Sequence, residues 1–460
     1  MNQEKSIKMR NMPMGRLIAT MSIPAMFSML IQALYNVVDS IYVARLDTTN
    51  DDMLTAVGYA FPIQILIMAF ALGIGIGTNV LAAKKLGERK PDESSQIAQN
   101  GIMMAVIAGI FFFIMSFIII NPFMNLMSNS ENIIKNGTAY LRIVSMFSIF
   151  IMIEITCNKI LQSMGRMIIP MFTQLIGAIT NIILDPILIF GWHKIPAMGI
   201  RGAAIATVIG QAVAMIFVVI YILTTKFEIN LKLKHFRFNT FYVKEIIKVG
   251  LPSMIMNAIG SITNIFLNSI LKSLNPEETA NAVLTSYFKL QSFVFMPVFG
   301  INQGGMPILS YNYGAKIKKR FFQGLRIMIF SALIIMGCGL IVFQIFPKQL
   351  LNFFSPSKQM IEIGVRALRI ISISFIPAAI SIIITMAFQS LGRGETALMM
   401  SILRQAILLV PSAFILGKIG GLNLVWYAFP LSEIAVAVIF LPIIIVLTNR
   451  VFDKNPLEIN

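Results

Sequence analysis

Two aspartates interrupt long apolar runs of this chain, and each ends a stripe of polar residues at helical spacing. Ser28, Gln32, Tyr35, Asn36 and Asp39 follow one another by four, three, one and three residues, which puts them on one helix face. Gln174, Gly177, Asn181 and Asp185 do the same by three, four and four. Ala203 and Thr207 lie one turn apart in a third apolar run. Together these residues offer two carboxylates, an amide, a hydroxyl and a backbone carbonyl. All are hard oxygen donors, suited to a small cation such as Na+ at Asp39, Asn181, Asp185 and Thr207, or to a shared proton. The structural alternative is a hydrogen bond capping a helix broken at Pro186, since proline removes a backbone donor. Two aspartate-tipped stripes in one half of the chain favour ion chemistry.

The elements that position these residues are duplicated. Leu161–Arg166 reads LQSMGR, and 227 residues later Phe388–Arg393 reads FQSLGR. The same offset carries Leu141-Arg142-Ile143 onto Leu368-Arg369-Ile370, and Gly73, Gly77 and Gly87 onto Gly300, Gly304 and Gly314. Pro24 and Asn36 meet Pro252 and Asn264 at an offset of 228. The chain is therefore two diverged copies of one unit. The second copy is neutral where the first is acidic: Asp39 aligns with Leu267 and Asp185 with Ser412. Its stripe of Ser253, Asn257, Ser261, Asn264 and Asn268 offers hydrogen bonds to a ligand rather than charge. The ion site is thus expected in the first copy. The substrate cavity draws candidates from both: Gln32, Tyr35, Asn36, Glu154, Gln174, Asn257, Asn264 and Lys289. Glu154 could join the first-copy cavity, and Lys289 could pair with Glu433 as a buried ion pair.

Hydrophobic residues make up 57% of the sequence and charged residues 12%, with a mean hydropathy of +0.80. That balance belongs to a polytopic membrane protein. Twelve candidate spans begin near Leu17, Met53, Ile97, Thr138, Met167 and Gly202, then near Ile246, Ala282, Gly324, Ile361, Ala397 and Gly421. Six spans per copy return the chain to its starting side, so the two repeats are parallel. The expected division is an N-terminal segment over 1–16, a first lobe over 17–225, a linker over 226–245, a second lobe over 246–448 and a tail over 449–460. Lys and Arg crowd the even-numbered connections and the termini, as at Lys84, Lys85, Arg89 and Lys90, whereas the first connection carries Asp47, Asp51 and Asp52. Positive charge marks the cytoplasmic side, which predicts a multi-pass plasma-membrane protein with both termini in the cytoplasm. The apolar run after Arg16 is too long for a cleavable leader and is expected to be the retained first span.

Several functions are disfavoured. The net charge of +17 is spread over alternate loops without an aromatic platform, which fits topology and anionic lipid headgroups rather than nucleic acid. Cys157 and Cys338 fall inside spans as packing residues, and no Cys/His spacing suggests a structural metal or other cofactor. His193 and His235 lie in connections, so neither a zinc-hydrolase motif nor a Ser-His pair exists within a span, and an enzyme is not expected. Gly73, Gly75 and Gly77 lack nucleotide-loop spacing and are expected to pack helices closely.

Pro24 with Asp39, the segment Asn181-Ile-Ile-Leu-Asp-Pro186, the segment Gly202-Ala-Ala-Ile-Ala-Thr207 and the duplicated Gln-Ser-x-Gly-Arg resemble the multidrug and toxic compound extrusion (MATE) transporters, in their DinF-like and MepA-like bacterial branch. The resemblance covers essentially the whole chain. It implies an all-α membrane protein of two six-helix lobes around a V-shaped cavity, exporting cationic or amphipathic organic compounds in exchange for H+ or Na+. By the same resemblance Asp39, Asn181, Asp185, Thr207 and the Ala203 carbonyl form the ion network, and Pro24 is where the first helix bends. The segment between Asp185 and Ala203, with Trp192 and His193, is longer here than in the aspartate-bearing members. A monomer is expected. A flippase for lipid-linked saccharides is the alternative from the same superfamily, but it would call for a strongly cationic cavity, and Lys289 is the one cation placed mid-span.

Overall fold

The computed structural model describes residues 9–44, 52–128, 130–193, 195–229, 231, 238–275, 279–354 and 357–453, with backbone alone over 35–44 and 52–55 and at 453. Regular structure among these residues is helical, apart from one bridge between Trp192 and Ile195. Among the described residues ten helices are long and apolar enough to cross a bilayer, and two bent pairs, each taken as one span, bring the number to twelve. The first copy contributes α1 (Met14–Ala44), α2 (Asp52–Gly87), α3 (Pro91–Ile118), the bent pair α4a (Glu131–Met146) and α4b (Ile149–Ser163), α5 (Ile168–Phe190) and α6 (Ile200–Thr224). The second contributes α7 (Thr240–Leu274), α8 (Thr279–Gly314), α9 (Lys318–Ile345), the bent pair α10a (Lys358–Ser372) and α10b (Phe375–Ser390), α11 (Gly394–Gly420) and α12 (Ala428–Asp453). With each bent pair taken as one span, the twelve spans expected from the sequence are present among the described residues, six in each copy.

The helices form because hydrocarbon offers no partner for backbone N–H and C=O groups, so each span must satisfy its own. Ile107, Ile110, Phe111, Ile114, Phe117 and Ile118 are all exposed on α3. A surface of that kind is tolerated against lipid chains and not against water. Cys157 is buried as expected, whereas Cys338 is exposed on α9 and does not pack inside.

The duplicated motif turns out to be a helix stop. At the end of α4b, Gly165 N donates to Gln162 O at 2.9 Å and Arg166 N to Leu161 O at 3.0 Å. At the end of α10b, Gly392 N donates to Gln389 O and Arg393 N to Phe388 O, each at 2.9 Å. These nested bonds are a Schellman cap, which needs a left-handed residue, and the two glycines have φ of 75° and 70°. The spans carrying these caps are also bent alike, by 46° in the fourth and 49° in the tenth. Each break tightens to i→i−3 bonding: Ser148 N to Ser145 O in one copy, Ser374 N to Ile371 O in the other.

The compact units do not follow the sequence copies. One unit holds Phe27–Met254, the other Lys8–Met26 with Ile255–Asn460. Each copy therefore gives the first part of its leading helix to the other unit. The paired glycines explain how. A Cβ on Gly73 would meet Met254 and the Gly250 carbonyl, and one on Gly77 would meet Ile246, so α7 begins in tight contact with α2. In the other unit a Cβ on Gly304 would fall 2.8 Å from Ser22 Cα, and one on Gly300 would meet Met26, so α1 begins in tight contact with α8. The close packing expected at Gly73, Gly75 and Gly77 is present, and the leading helix of the opposite copy is its partner at two of the three. Gly75 instead approaches Lys159, whose Cγ would lie 2.9 Å from its Cβ. Arg320 holds the start of the chain in the second unit, donating to the carbonyls of Met9 and Met12 at 3.0 and 2.9 Å.

Three helix ends fall outside the expected boundaries, the first being α1, which begins at Met14 within the 1–16 segment. α7 begins at Thr240, inside the stretch 226–245 taken as linker, and α12 runs to Asp453, past the expected end of the second lobe at 448. Hydropathy locates the lipid-embedded part of a helix, whereas backbone bonding continues into the polar turns beyond it.

Gly304→Leu should lower the thermal midpoint of the detergent-solubilised protein, because overpacking a tight contact costs about 1–3 kcal/mol. Gly58→Ala is the matched control, with nothing within 4 Å of the added Cβ, and should leave the midpoint unchanged. Equal midpoints for both variants would contradict the tight-contact role.

Candidate functional site

Asn181 and Asp185, one turn apart on α5, are 2% and 0% exposed. Asn181 Nδ2 donates to Asp185 Oδ1 at 3.2 Å and to Thr207 Oγ1 on α6 at 3.5 Å. Thr207 Oγ1 donates in turn to the Ala203 carbonyl at 3.0 Å. The sequence-predicted quartet Asn181, Asp185, Thr207 and Ala203 is thus assembled in one buried cluster. Its oxygens include Asn181 Oδ1, which is buried without a hydrogen-bond partner among the described residues. A buried acceptor of that kind carries a desolvation cost that a cation or proton can relieve. The donor set is all oxygen, and it suits a hard monovalent ion.

Close approach of α5 to α6 makes the cluster possible. A Cβ on Gly210 would lie 2.9 Å from the Gly177 carbonyl and 3.2 Å from Asn181 Cβ, so the two glycines let the backbones meet one turn from Asn181. The ends are locked by Met198 N donating to Leu188 O and Gly199 N to Ile189 O, at 2.9 and 3.1 Å. Gly199 can close this turn because its φ is 56°. α5 runs through Pro186 to Phe190. Asp185 therefore does not cap a broken helix.

The first span joins the cluster's helix through Gln174 Nε2, which donates to Gln32 Oε1 at 3.5 Å. The two predicted stripes therefore do meet. The side chains of Tyr35, Asn36 and Asp39 lie outside the described residues. Pro24 sits within the helical stretch of α1, two residues before the boundary between the units. Glu154 is buried on α4b and accepts from Asn158 Nδ2 at 3.3 Å.

In the second copy the expected Lys289–Glu433 pair is not formed. Arg404 Nη1 meets Glu433 Oε1 at 3.3 Å instead. Arg404 lies in a π-helical turn over Leu403–Leu409, ahead of Pro411. Such turns widen a helix where proline disrupts the regular bonding. Asn264 and Lys289 line a pocket of about 280 Å3 in the second unit, and Asn257 lies outside that lining.

Sequence reasoning passed over two buried or half-buried cations. Arg404 is one. Lys159 is the other, 7% exposed on α4b, with Nζ donating to Gln162 Oε1 at 3.0 Å. It stands one turn before the QSxGR stop, where hydropathy does not separate a buried lysine from one that reaches the headgroups. The glycine at Gly75, facing that turn, was the available clue.

These features define a multi-pass helical membrane protein built from two repeats of six spans, with a buried carboxylate cluster in the first. The MatE family model matches residues 24–187 and again 252–415, and the chain belongs to that family. It is similar to the multidrug export protein MepA of Staphylococcus haemolyticus strain JCSC1435, 25% identical over 95% of this chain and 94% of that one. The MepA protein of Staphylococcus aureus strain N315 is 23% identical over 98% of both chains. Among solved structures the fold is similar to an outward-facing multidrug resistance MATE family transporter of the MOP superfamily, with a TM-score of 0.92, 25% identity, and coverage of 98% of this chain and 99% of that one. A MOP superfamily transporter from Pyrococcus furiosus gives a TM-score of 0.90 at 25% identity, with the same coverage.

Asn181→Leu should destabilise the protein by about 1–3 kcal/mol, because it removes a donor from the buried Asp185 carboxyl. In a double-mutant cycle with Asp185→Leu the two losses should be strongly non-additive. Additive thermal shifts would show that the two side chains are energetically independent.

Proposed function

We propose that this chain is a secondary active exporter of cationic or amphipathic organic compounds, driven by H+ or Na+ entering in exchange. The observation that carries the proposal is the buried Asn181–Asp185–Thr207–Ala203 cluster. It is a site for a small cation and occurs in one copy of a duplicated fold. The multidrug export named for the staphylococcal relatives supports the substrate class.

The chemistry follows from burial. A carboxylate enclosed in a low-dielectric lobe is costly unless a cation or proton compensates it. Loading of the cluster therefore favours a closed arrangement of α5 and α6, and release favours one open to water. Drug and ion exchange if each biases the two access states differently. Both termini face the cytoplasm, in keeping with Lys84, Lys85, Arg89 and Lys90 at the α2–α3 turn. Strong cationic character, as a pyrophosphate-carrying flippase would need, is missing from the first-copy cluster.

Asp185→Asn should abolish ion-driven ethidium efflux from proteoliposomes while leaving expression intact. Separately imposed pH and Na+ gradients on the parent protein identify the coupling ion. Efflux at the parent rate in Asp185→Asn, under whichever gradient drives it, would overturn the coupling role.

A further inference from the structure

The turn between α5 and α6 carries a segment that the second copy lacks. Both copies enter their last span through a left-handed glycine, Gly199 with φ 56° and Gly421 with φ 58°. These glycines stand 222 residues apart, whereas the helix-stop glycines Gly165 and Gly392 stand 227 apart, so the first copy carries five more residues in this interval. In the second copy the helix runs up to Gly420, next to Gly421. In the first, α5 ends at Phe190 and residues 191–198 intervene. They read Gly-Trp-His-Lys-Ile-Pro-Ala-Met, without an acid and with Trp192, Ile195 and Met198 among them.

The segment is fixed in shape, and its apolar side chains are left uncovered. Trp192 N donates to Ile195 O at 3.1 Å and Ile195 N to Trp192 O at 2.9 Å. His193 at the tip has φ 53°, a left-handed value that few residues other than glycine adopt. A Cβ on Gly191 would fall 2.8 Å from Ala197 N, so the returning chain lies on the start of the turn. Trp192 is nonetheless 67% exposed, and Ile195 and Met198 are exposed as well. In water that surface would carry an uncompensated hydrophobic cost.

The helices on either side set its depth in the membrane. α5 runs 23 residues from Ile168 to Phe190, about 34 Å at 1.5 Å per residue, which crosses a hydrocarbon core of about 30 Å and leaves its end at the headgroups. The exposed side chains of α5 lead to the same level. Ile168, Phe172, Ile179, Ile183 and Phe190 succeed one another by four or seven residues, on the face away from Asn181 and Asp185. That stripe suits lipid chains, and Trp192 continues it two residues beyond the span. Arg201, exposed at the start of α6, adds a cation at the same end.

We propose that the α5–α6 turn is an interfacial anchor. The Trp192 indole, with Ile195 and Met198, sits at the boundary between phospholipid headgroups and acyl chains, where tryptophan is favoured, and Arg201 faces the phosphates. Hydrogen bonds from Met198 N to Leu188 O and from Gly199 N to Ile189 O tie the anchor to the helix that carries Asn181 and Asp185. The bilayer therefore holds the carboxylate cluster at a set depth. The anchor stands or falls independently of the exporter proposed above.

The chain has two tryptophans, and Trp426 is buried at 1% exposure, so emission lost on Trp192→Phe belongs to Trp192. The full chain is reconstituted in phosphatidylcholine vesicles whose acyl chains carry bromine either near the headgroup or near the chain end. Trp192 emission should be quenched mainly by the shallow bromine and little by aqueous iodide. Iodide quenching as strong as that by the shallow bromine would put the turn in water. Stronger quenching by the deep bromine would put it in the hydrocarbon core, and quenching by none of the three would put it beneath protein. Each of these results overturns the proposal. If Trp192→Phe is not recovered, Trp426→Phe leaves Trp192 as the one emitter and gives the same reading.

Discussion

Everything in this molecule answers to the absence of hydrogen-bonding partners in hydrocarbon. Backbone groups are satisfied along each span, and where a span breaks or stops the bonding is handed to tighter turns or to a Schellman cap. Polar side chains obey the same constraint. Thr78, Thr173, Thr180 and Asn312 each turn back to a carbonyl four residues earlier in their own helix. Others reach across to another helix and tie the spans together, among them Asn181 to Thr207, Gln174 to Gln32, Arg404 to Glu433, Asn281 to Asn268, Gln64 to Tyr140 and Asn79 to the Lys159 carbonyl.

Much of this was legible before any coordinates. The spans follow from apolar runs, and the pairs Asn181–Asp185 and Ala203–Thr207 follow from i, i+4 spacing, which fixes neighbours on one helix without knowledge of the fold; that the two pairs join was implied only by the family resemblance. Pairing between helices was less accessible. Lys289 and Glu433 carry opposite charges, but a sequence gives no distance between α8 and α12, and the π turn that brings Arg404 to Glu433 depends on how α11 adjusts ahead of Pro411. The exchange of leading helices was hidden for a different reason. Two diverged copies contain the same contacts twice, and a repeat cannot say whether Gly73 meets α1 or α7.

The duplication also sets up a division of labour that strict symmetry would forbid. In the first copy the α5–α6 approach encloses a carboxylate among oxygen atoms, a setting for positive charge. In the second, neutral amides stand in a row instead, Asn268 Nδ2 donating to Asn264 Oδ1 at 2.9 Å and Asn281 Nδ2 to Asn268 Oδ1 at 3.0 Å. One scaffold thus carries an acid in one copy and neutral side chains in the other, while the features that maintain the backbone, Gly165 and Gly392 among them, stayed alike.

The exchanged leading helices bear on how the chain is made. A ribosome that has delivered all six spans of the first copy has not yet delivered a complete unit, because Gly73 and Gly77 still await the stretch from Ile246 to Met254. The first unit closes only when the seventh span arrives, and residues 9–26 wait longer, until α8 and Arg320 have been inserted. Biogenesis therefore couples the two halves before any substrate does, and a chain cut between them would leave each fragment short of a helix held by the other.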